Sequence, residues 1–175
     1  MIKIICVGKI KEKYLDSAID EYLKRLSKYT KMEIIEVPDV DDKNKDIILK
    51  KESVLISKHI DSKDYVITME IDGKQLDSIE LARLIDNTFI SHSNITFVIG
   101  GSYGIYEEIK NRSNYKLSFS KLTFPHQLFR VILLEQIYRT FKINNNEEYH
   151  KWCSFFNKFN ENIIELNGDY YFRNN

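Results

Sequence analysis

Three glycines in five residues, Gly100-Gly101-Ser102-Tyr103-Gly104, follow the nearly unbroken apolar run Ile95 to Ile99. Glycine lets a backbone approach a ligand closely and take positive φ without strain, so a glycine cluster at the end of a buried strand is either a ligand loop or a tight structural turn. The spacing is GGxxG, not the GxGxxG of dinucleotide sites. Where such a site needs an acidic residue about 20 positions on, this chain has Ser120 and Lys121. A second segment, Phe119-Ser120-Lys121-Leu122-Thr123-Phe124-Pro125-His126-Gln127, alternates apolar and polar residues before Pro125 presets a helical turn. Rich in main-chain donors and flanked by Phe119 and Phe124, it is suited to wrapping an adenine; a plain strand-to-helix connection is the alternative.

For these segments to meet, the elements around them must alternate. Lys3 to Val7 reads as a strand, followed by a helical stripe of Leu15, Ala18, Ile19, Tyr22, Leu23 and Leu26. Met32 to Val37 is a strand stopped by Pro38. After the polar loop Asp39 to Asp46 comes a helix carrying Ile48, Leu55 and His59, then a strand from Asp64 to Ile71 closed by the turn pair Asp72-Gly73. Ser78 is the expected N-cap of a helix burying Leu81, Leu84, Ile85 and Phe89. Ile95 to Ile99 is a central strand covered on both faces. A short helix from Tyr106 to Arg112, a strand from Tyr115 to Ser120 and a helix from Pro125 to about Ile143 follow. This last helix carries Leu128, Val131, Ile132, Leu134, Ile137, Tyr138 and Phe141 around most of its circumference, which predicts packing against a second copy of itself. Five strands separated by helices predict a mostly parallel sheet with helices on both faces. Its ligand site belongs at the carboxyl ends of the strands, in the loops 69–74, 100–104 and 119–125.

The 175 residues, with 43% apolar content, suffice for one domain core. Ile2 to Val7 is too short and too interrupted for a signal core or a membrane span, so a cytoplasmic protein without a membrane partner is expected. Cys6 and Cys153 are far apart, with no CxxC pair or nearby His cluster. They read as free thiols, and no metal is expected. Net charge is zero, which argues against bulk attraction to nucleic acid. Locally, however, residues 1–31 carry eight basic against four acidic side chains, and residues 110–142 carry seven against one. Two basic segments on a neutral chain can serve one polyanion-binding face or be ordinary solvated helix faces.

Taken together, GGSYG at 100–104, RSNYKLSFSKLTFPHQLFRVILLEQIYRTFKI at 112–143, VGKIKEKY at 7–14 and IIEVPD at 34–39 resemble the 23S rRNA pseudouridine N3-methyltransferases of the SPOUT superfamily. The resemblance runs from residue 1 to Lys151. It implies an α/β domain over 1–151 with a C-terminal trefoil knot and a homodimer. The activity it implies is methyl transfer from S-adenosylmethionine to N3 of a pseudouridine in 23S rRNA of assembled ribosomes. The cofactor contacts carried over fall at Met69, Gly100, Phe119, Ser120, Lys121, Leu122, Thr123 and Phe124. Met69 stands where relatives often show Leu, a swap that keeps volume and an apolar contact.

The implied chemistry needs N3 of the base to lose a weakly acidic proton. Candidate groups for that task are Tyr149 and His150 in the segment Tyr149-His150-Lys151, where relatives usually end, and the pair His126 and Arg130, one turn apart. His126 is equally readable as a helix-start residue satisfying local backbone. Arg112, Lys121, Arg139 and Lys142 are candidate RNA contacts, since Arg and Lys anchor phosphates without reading sequence. Two other readings remain open at this level: an oxidoreductase, and a ribosome-binding module without catalysis.

Residues 152–175, WCSFFNKFNENIIELNGDYYFRNN, have no counterpart in the resemblance and form an extension of unassigned role. Trp152, Phe155, Phe156 and Phe159 have helical spacing, and Ile163 to Leu166 and Tyr170 to Phe172 are strand-like. So aromatic a segment is expected to pack on the domain or its partner.

Overall fold

The computed structural model describes residues 1–149 and, near the chain's end, the strands at 163–166 and 169–172. Five strands, β1 (Ile2–Val7), β2 (Met32–Val37), β3 (Tyr65–Gln75), β4 (Ile95–Ile99) and β5 (Tyr115–Ser118), form one sheet in the order β2-β1-β4-β3-β5. Every pairing in it is parallel. Parallel strands need crossover connections, which the helices α1 (Lys13–Leu26), α2 (Lys45–Ser57), α3 (Ser78–Ser91) and α4 (Glu107–Arg112) supply, with α5 (His126–Asn144) closing the domain.

Strand alternation sends Ile4, Cys6 and Phe97 to one face, against Ile19 and Leu26 of α1, Leu81 and Ile85 of α3, and Leu133, Leu134 and Ile137 of α5. It sends Ile5, Val7 and Val98 to the other, against Ile56 of α2 and Ile109 of α4. Both faces are therefore dry, and β1 and β4 are buried at every position. Cys6 is a free thiol in this core, and burial pushes its pKa up to about 12, so it packs as a small hydrophobe.

Several expectations are corrected in detail. The strand expected to stop at Asp72-Gly73 continues as β3 to Gln75. Its ladder to β5 skips from Met69 to Lys74, both opposite Leu117, so residues 70–73 bulge out of the sheet rather than end it. The N-cap of α3 is Asp77, not Ser78: Asp77 accepts from the Ile79 and Glu80 N–H groups, and Glu80 reaches back to the Asp77 N–H, a complete capping box. His59 lies beyond the end of α2, β5 ends at Ser118, and Pro125 caps α5 instead of opening it. α5 buries Leu133, Leu134 and Ile137 between α1 and α3 but leaves Leu128 41% exposed. Ile163–Leu166 (β6) and Asp169–Phe172 (β7) pair as an antiparallel hairpin. The expected helix at 152–159, Cys153 and the packing of the extension lie outside the described residues.

At the amino-terminal edge of the sheet, opposite the ligand edge, Lys3 is buried with its ammonium 2.6 Å from Asp64 and 2.8 Å from Asp61; Thr96 donates to Asp64 at 2.9 Å. Burial alone would raise the Asp64 pKa. The hydrogen bonds from Lys3, Thr96 and the Asp61 N–H, with the Lys3 charge, outweigh it and hold the carboxyl below its ordinary value of 3.8. A carboxyl more acidic in the folded than in the unfolded chain contributes stability above that ordinary value and loses it as pH falls through the folded pKa. Asp64→Asn is expected to cost on the order of 2 kcal/mol at neutral pH, the scale of hydrogen bonds to a charged group. It should also flatten the acid limb below pH 3.8, as read by urea titrations across pH.

Candidate functional site

A cavity of about 310 Å³ opens at the carboxyl edge, over the tips of β4, β3 and β5. Met69, Gly100, Phe119, Ser120, Leu122, Thr123 and Phe124 all line it, so three segments distant in sequence converge there as the site residues require. Lys121 does not; it is exposed and lies off the cavity wall. The wall also includes Glu70 and Ile71 from the β3 bulge, Leu117, Pro125, His126 and Phe129. Phe129 ties the wall together, with its ring 5.3 Å from Phe119 and 5.7 Å from Phe124. It was missed as a site residue, although its place one helical turn after Pro125 was the available signal.

The glycine turn is built on contact. A Cβ at Gly100 would lie 2.3 Å from the Gly104 carbonyl oxygen, and Gly104 itself sits at φ +86° with its N–H bonded to Gly101 O at 3.0 Å. In the β5–α5 loop, Ser118 Oγ donates to Ser120 O at 3.0 Å and the Leu122 N–H donates to Ser120 Oγ at 2.9 Å. The Ser120 hydroxyl thus shapes the loop. The N–H groups of Thr123 and Phe124 make no hydrogen bond among the described residues.

At the cavity's edge the His126 imidazole is pushed below its ordinary 6.5, by burial first and then by the Arg130 charge, so the ring is neutral at pH 7. Arg130 behind it is fully buried. It donates to Glu36 at 2.5 Å and to the carbonyls of Val7 and Gly8 at 2.9 and 2.7 Å. Both terminal nitrogens are spent on the tip of β1 and on β2, so Arg130 is a strut under the site.

Residues 1–150 match the family model described as predicted SPOUT methyltransferase. The chain belongs to that family. Curated SPOUT relatives include the ribosomal RNA large subunit methyltransferase H of Clostridium botulinum (strain 657 / Type Ba4), 55% identical over 157 residues that cover 86% of this chain and 99% of the relative. The putative ribosomal RNA large subunit methyltransferase H of Methanococcus vannielii is 57% identical with the same coverage. Among solved structures, a probable methylase family protein from Haemophilus influenzae Rd KW20 superposes with a TM-score of 0.52 at 14% identity, over 91% of this chain and 77% of that one, a likeness of fold.

The remaining described candidates of this SPOUT chain stand away from the cavity. Tyr149 lies along α5: its ring is 5.0 Å from that of Tyr138, its hydroxyl donates to Glu135 at 3.3 Å, and the Arg139 guanidinium sits over it at 5.0 Å. Burial, then the neighbouring Tyr22 and Glu135, pushes its phenol up to about 12, so it keeps its proton at neutral pH. His150 lies outside the described residues. Arg139 is paired with Glu135 and Lys142 with Glu147. Arg112 donates to Ile60 O at 2.9 Å, at the sheet edge opposite the cavity.

Proposed function

We propose that this chain transfers the methyl group of S-adenosylmethionine to N3 of a pseudouridine in 23S rRNA of assembled ribosomes, in the cytoplasm, as a trefoil-knotted homodimer. The observation that carries this reading is the convergence of Met69, Gly100 and the 119–124 loop on one cavity, in a chain whose curated relatives are named for methylating large-subunit RNA.

The residues fit the cofactor. A volume of about 310 Å³ lies within the range of small-molecule sites, roughly 300 to 1,000 Å³. Met69, Leu122 and Phe124 offer apolar walls for adenine, the Thr123 and Phe124 N–H groups offer donors for its edge, and the Gly100 backbone leaves room that a side chain would fill. S-adenosylmethionine supplies an electrophilic methyl group on a positively charged sulfur. The chain's part is to hold the RNA base in line with that methyl and keep water out, which can supply about 7 kcal/mol or more.

The N3 proton must leave to a base. Arg130 is spent as a strut, and the described Tyr149 phenol points along α5, away from its own cavity. The neutral His126 imidazole on the wall is one candidate, and a homodimer supplies another in this reading: α5 covers Leu128 and its half-buried neighbours Val131 and Ile132 with a second copy, and the segment around Tyr149 serves the neighbouring cavity.

Incubating the chain with methyl-labelled S-adenosylmethionine and ribosomes lacking this modification should place label in 23S rRNA at N3 of a pseudouridine. Calorimetry should show S-adenosylhomocysteine binding and no heat with NAD. No label in 23S rRNA, or NAD binding in place of S-adenosylhomocysteine, overturns the reading.

A further inference from the structure

We propose that Lys9, Lys11 and Lys13, with the adjoining ring of Tyr14, form the surface that holds RNA phosphates on the rim of the cavity. This inference rests on the RNA-methylating reading above and names the part of the chain that would grip the substrate.

A substrate reaching this cavity must lie across the carboxyl edge of the sheet. That condition removes Arg112, which sits at the other edge, and Arg139 and Lys142 already face carboxylates on α5 and just beyond it. The β1–α1 loop meets the condition. Its backbone is clamped at three points: the Gly8 N–H to Val37 O at 2.8 Å, the Ile10 N–H to Glu36 at 3.0 Å, and the Lys11 N–H to the Gln127 side chain at 2.9 Å. Gln127 follows His126, a cavity residue, and a Cβ on Gly8 would stand 3.6 Å from the His126 ring. The loop is therefore fixed directly against the first turn of the helix that walls the cavity.

With its backbone so held, the loop turns Lys9 and Lys11 outward, beside Lys13 at the first position of α1. All three are exposed and none is ion-paired among the described residues. Only Glu12 interrupts them. Tyr14, 69% exposed, adds an aromatic face of the kind on which unstacked bases rest. One strand further out, the β2–α2 loop carries Asp39, Asp41 and Asp42. These carboxylates repel a polyanion and bound the basic surface on the β2 side. Lysines on a clamped loop and the first turn of a helix at this place contribute affinity and register without reading bases. Their spacing also accounts for how a chain of zero net charge can hold RNA at one place and little elsewhere.

The test compares the full chain with the triple variant Lys9→Ala, Lys11→Ala, Lys13→Ala on unmodified ribosomes. We expect KM for ribosomes to rise about tenfold, the Kd for S-adenosylhomocysteine to stay unchanged, and the slope of log affinity against log salt to become shallower by roughly 2, at about 0.7 per phosphate for single strands. A triple Lys→Arg variant should keep the wild-type KM, and Lys24→Ala, Lys28→Ala, Lys31→Ala, at the far end of α1, should leave it within about twofold. An Ala triple with wild-type KM and salt slope overturns the proposal. Should the wild-type chain bind ribosomes without methylating them, the functional reading fails alone, and co-sedimentation decides this one: retention lost in the Ala triple supports it, equal retention overturns it.

Discussion

Gly100→Ala is expected to weaken S-adenosylhomocysteine binding roughly tenfold to a hundredfold while the chain stays folded. The added methyl would sit 2.3 Å from the Gly104 carbonyl oxygen and 2.4 Å from its carbon, both backbone atoms that no rotamer change can move aside. Relieving such overpacking costs about 1 to 3 kcal/mol. The turn absorbs it by opening the 100–104 segment, which is one wall of the cavity. At 1.4 kcal/mol per tenfold, that cost sets the expected range. Gly104→Ala is the comparison: its Cβ would meet nothing within 4 Å, and only the φ of +86° resists it. The expected penalty there is smaller, about 1 to 2 kcal/mol of backbone strain. Calorimetric titration of both variants beside the wild type checks the order, and a Gly100→Ala chain binding as tightly as wild type removes the glycine turn from the site.

Arg130→Met should destabilise the domain by about 3 kcal/mol, at the lower end of what breaking a buried ion pair costs because the Glu36 partner keeps some water. The guanidinium is fully buried and satisfies two main-chain carbonyls at the tip of β1 as well as Glu36 on β2. Its removal leaves the Val7 and Gly8 carbonyls without that donor and cuts the link between the start of α5 and the sheet. Arg130→Lys should recover little, since one ammonium cannot reproduce a planar fork spread over three acceptors. Urea denaturation gives the stability. A near-wild-type midpoint for Arg130→Met would show that α5 is seated by its apolar contacts alone.

Periodicity carried the sheet well at β2 and β4, which fall on their expected residues: β4 is a short buried run of Ile, Thr, Phe and Val, and β2, though it carries Glu33 and Glu36, is bounded by Pro38. It failed at β3, where Asp72-Gly73 reads as a strand-ending turn. The resumption of pairing at Lys74 is decided by β5, a partner more than forty residues away. Ser78 was mistaken for a cap that belongs to Asp77 because a serine and an aspartate stood side by side; the Glu80 at the third position after Asp77 was the discriminating sign. Met69, Glu70, Gly100 and the 119–124 loop fall in the loops that the strand pattern places at the carboxyl edge, whereas Phe129 belongs to the cavity by packing. Arg130 shows the limit most clearly. An arginine one turn from a histidine suggested chemistry, and nothing local reveals that its carboxylate partner lies 94 positions earlier.

The bulge at 70–73 divides the β3–β5 ladder into two short runs, and β5 is an edge strand with β3 as its sole neighbour in the sheet. The loop that follows β5 supplies one side of the cavity, and the bulge supplies another. An occupant touching both would act as a rivet across a seam of the sheet that the bulge interrupts. Filling the cavity and closing the margin of the domain are then a single event.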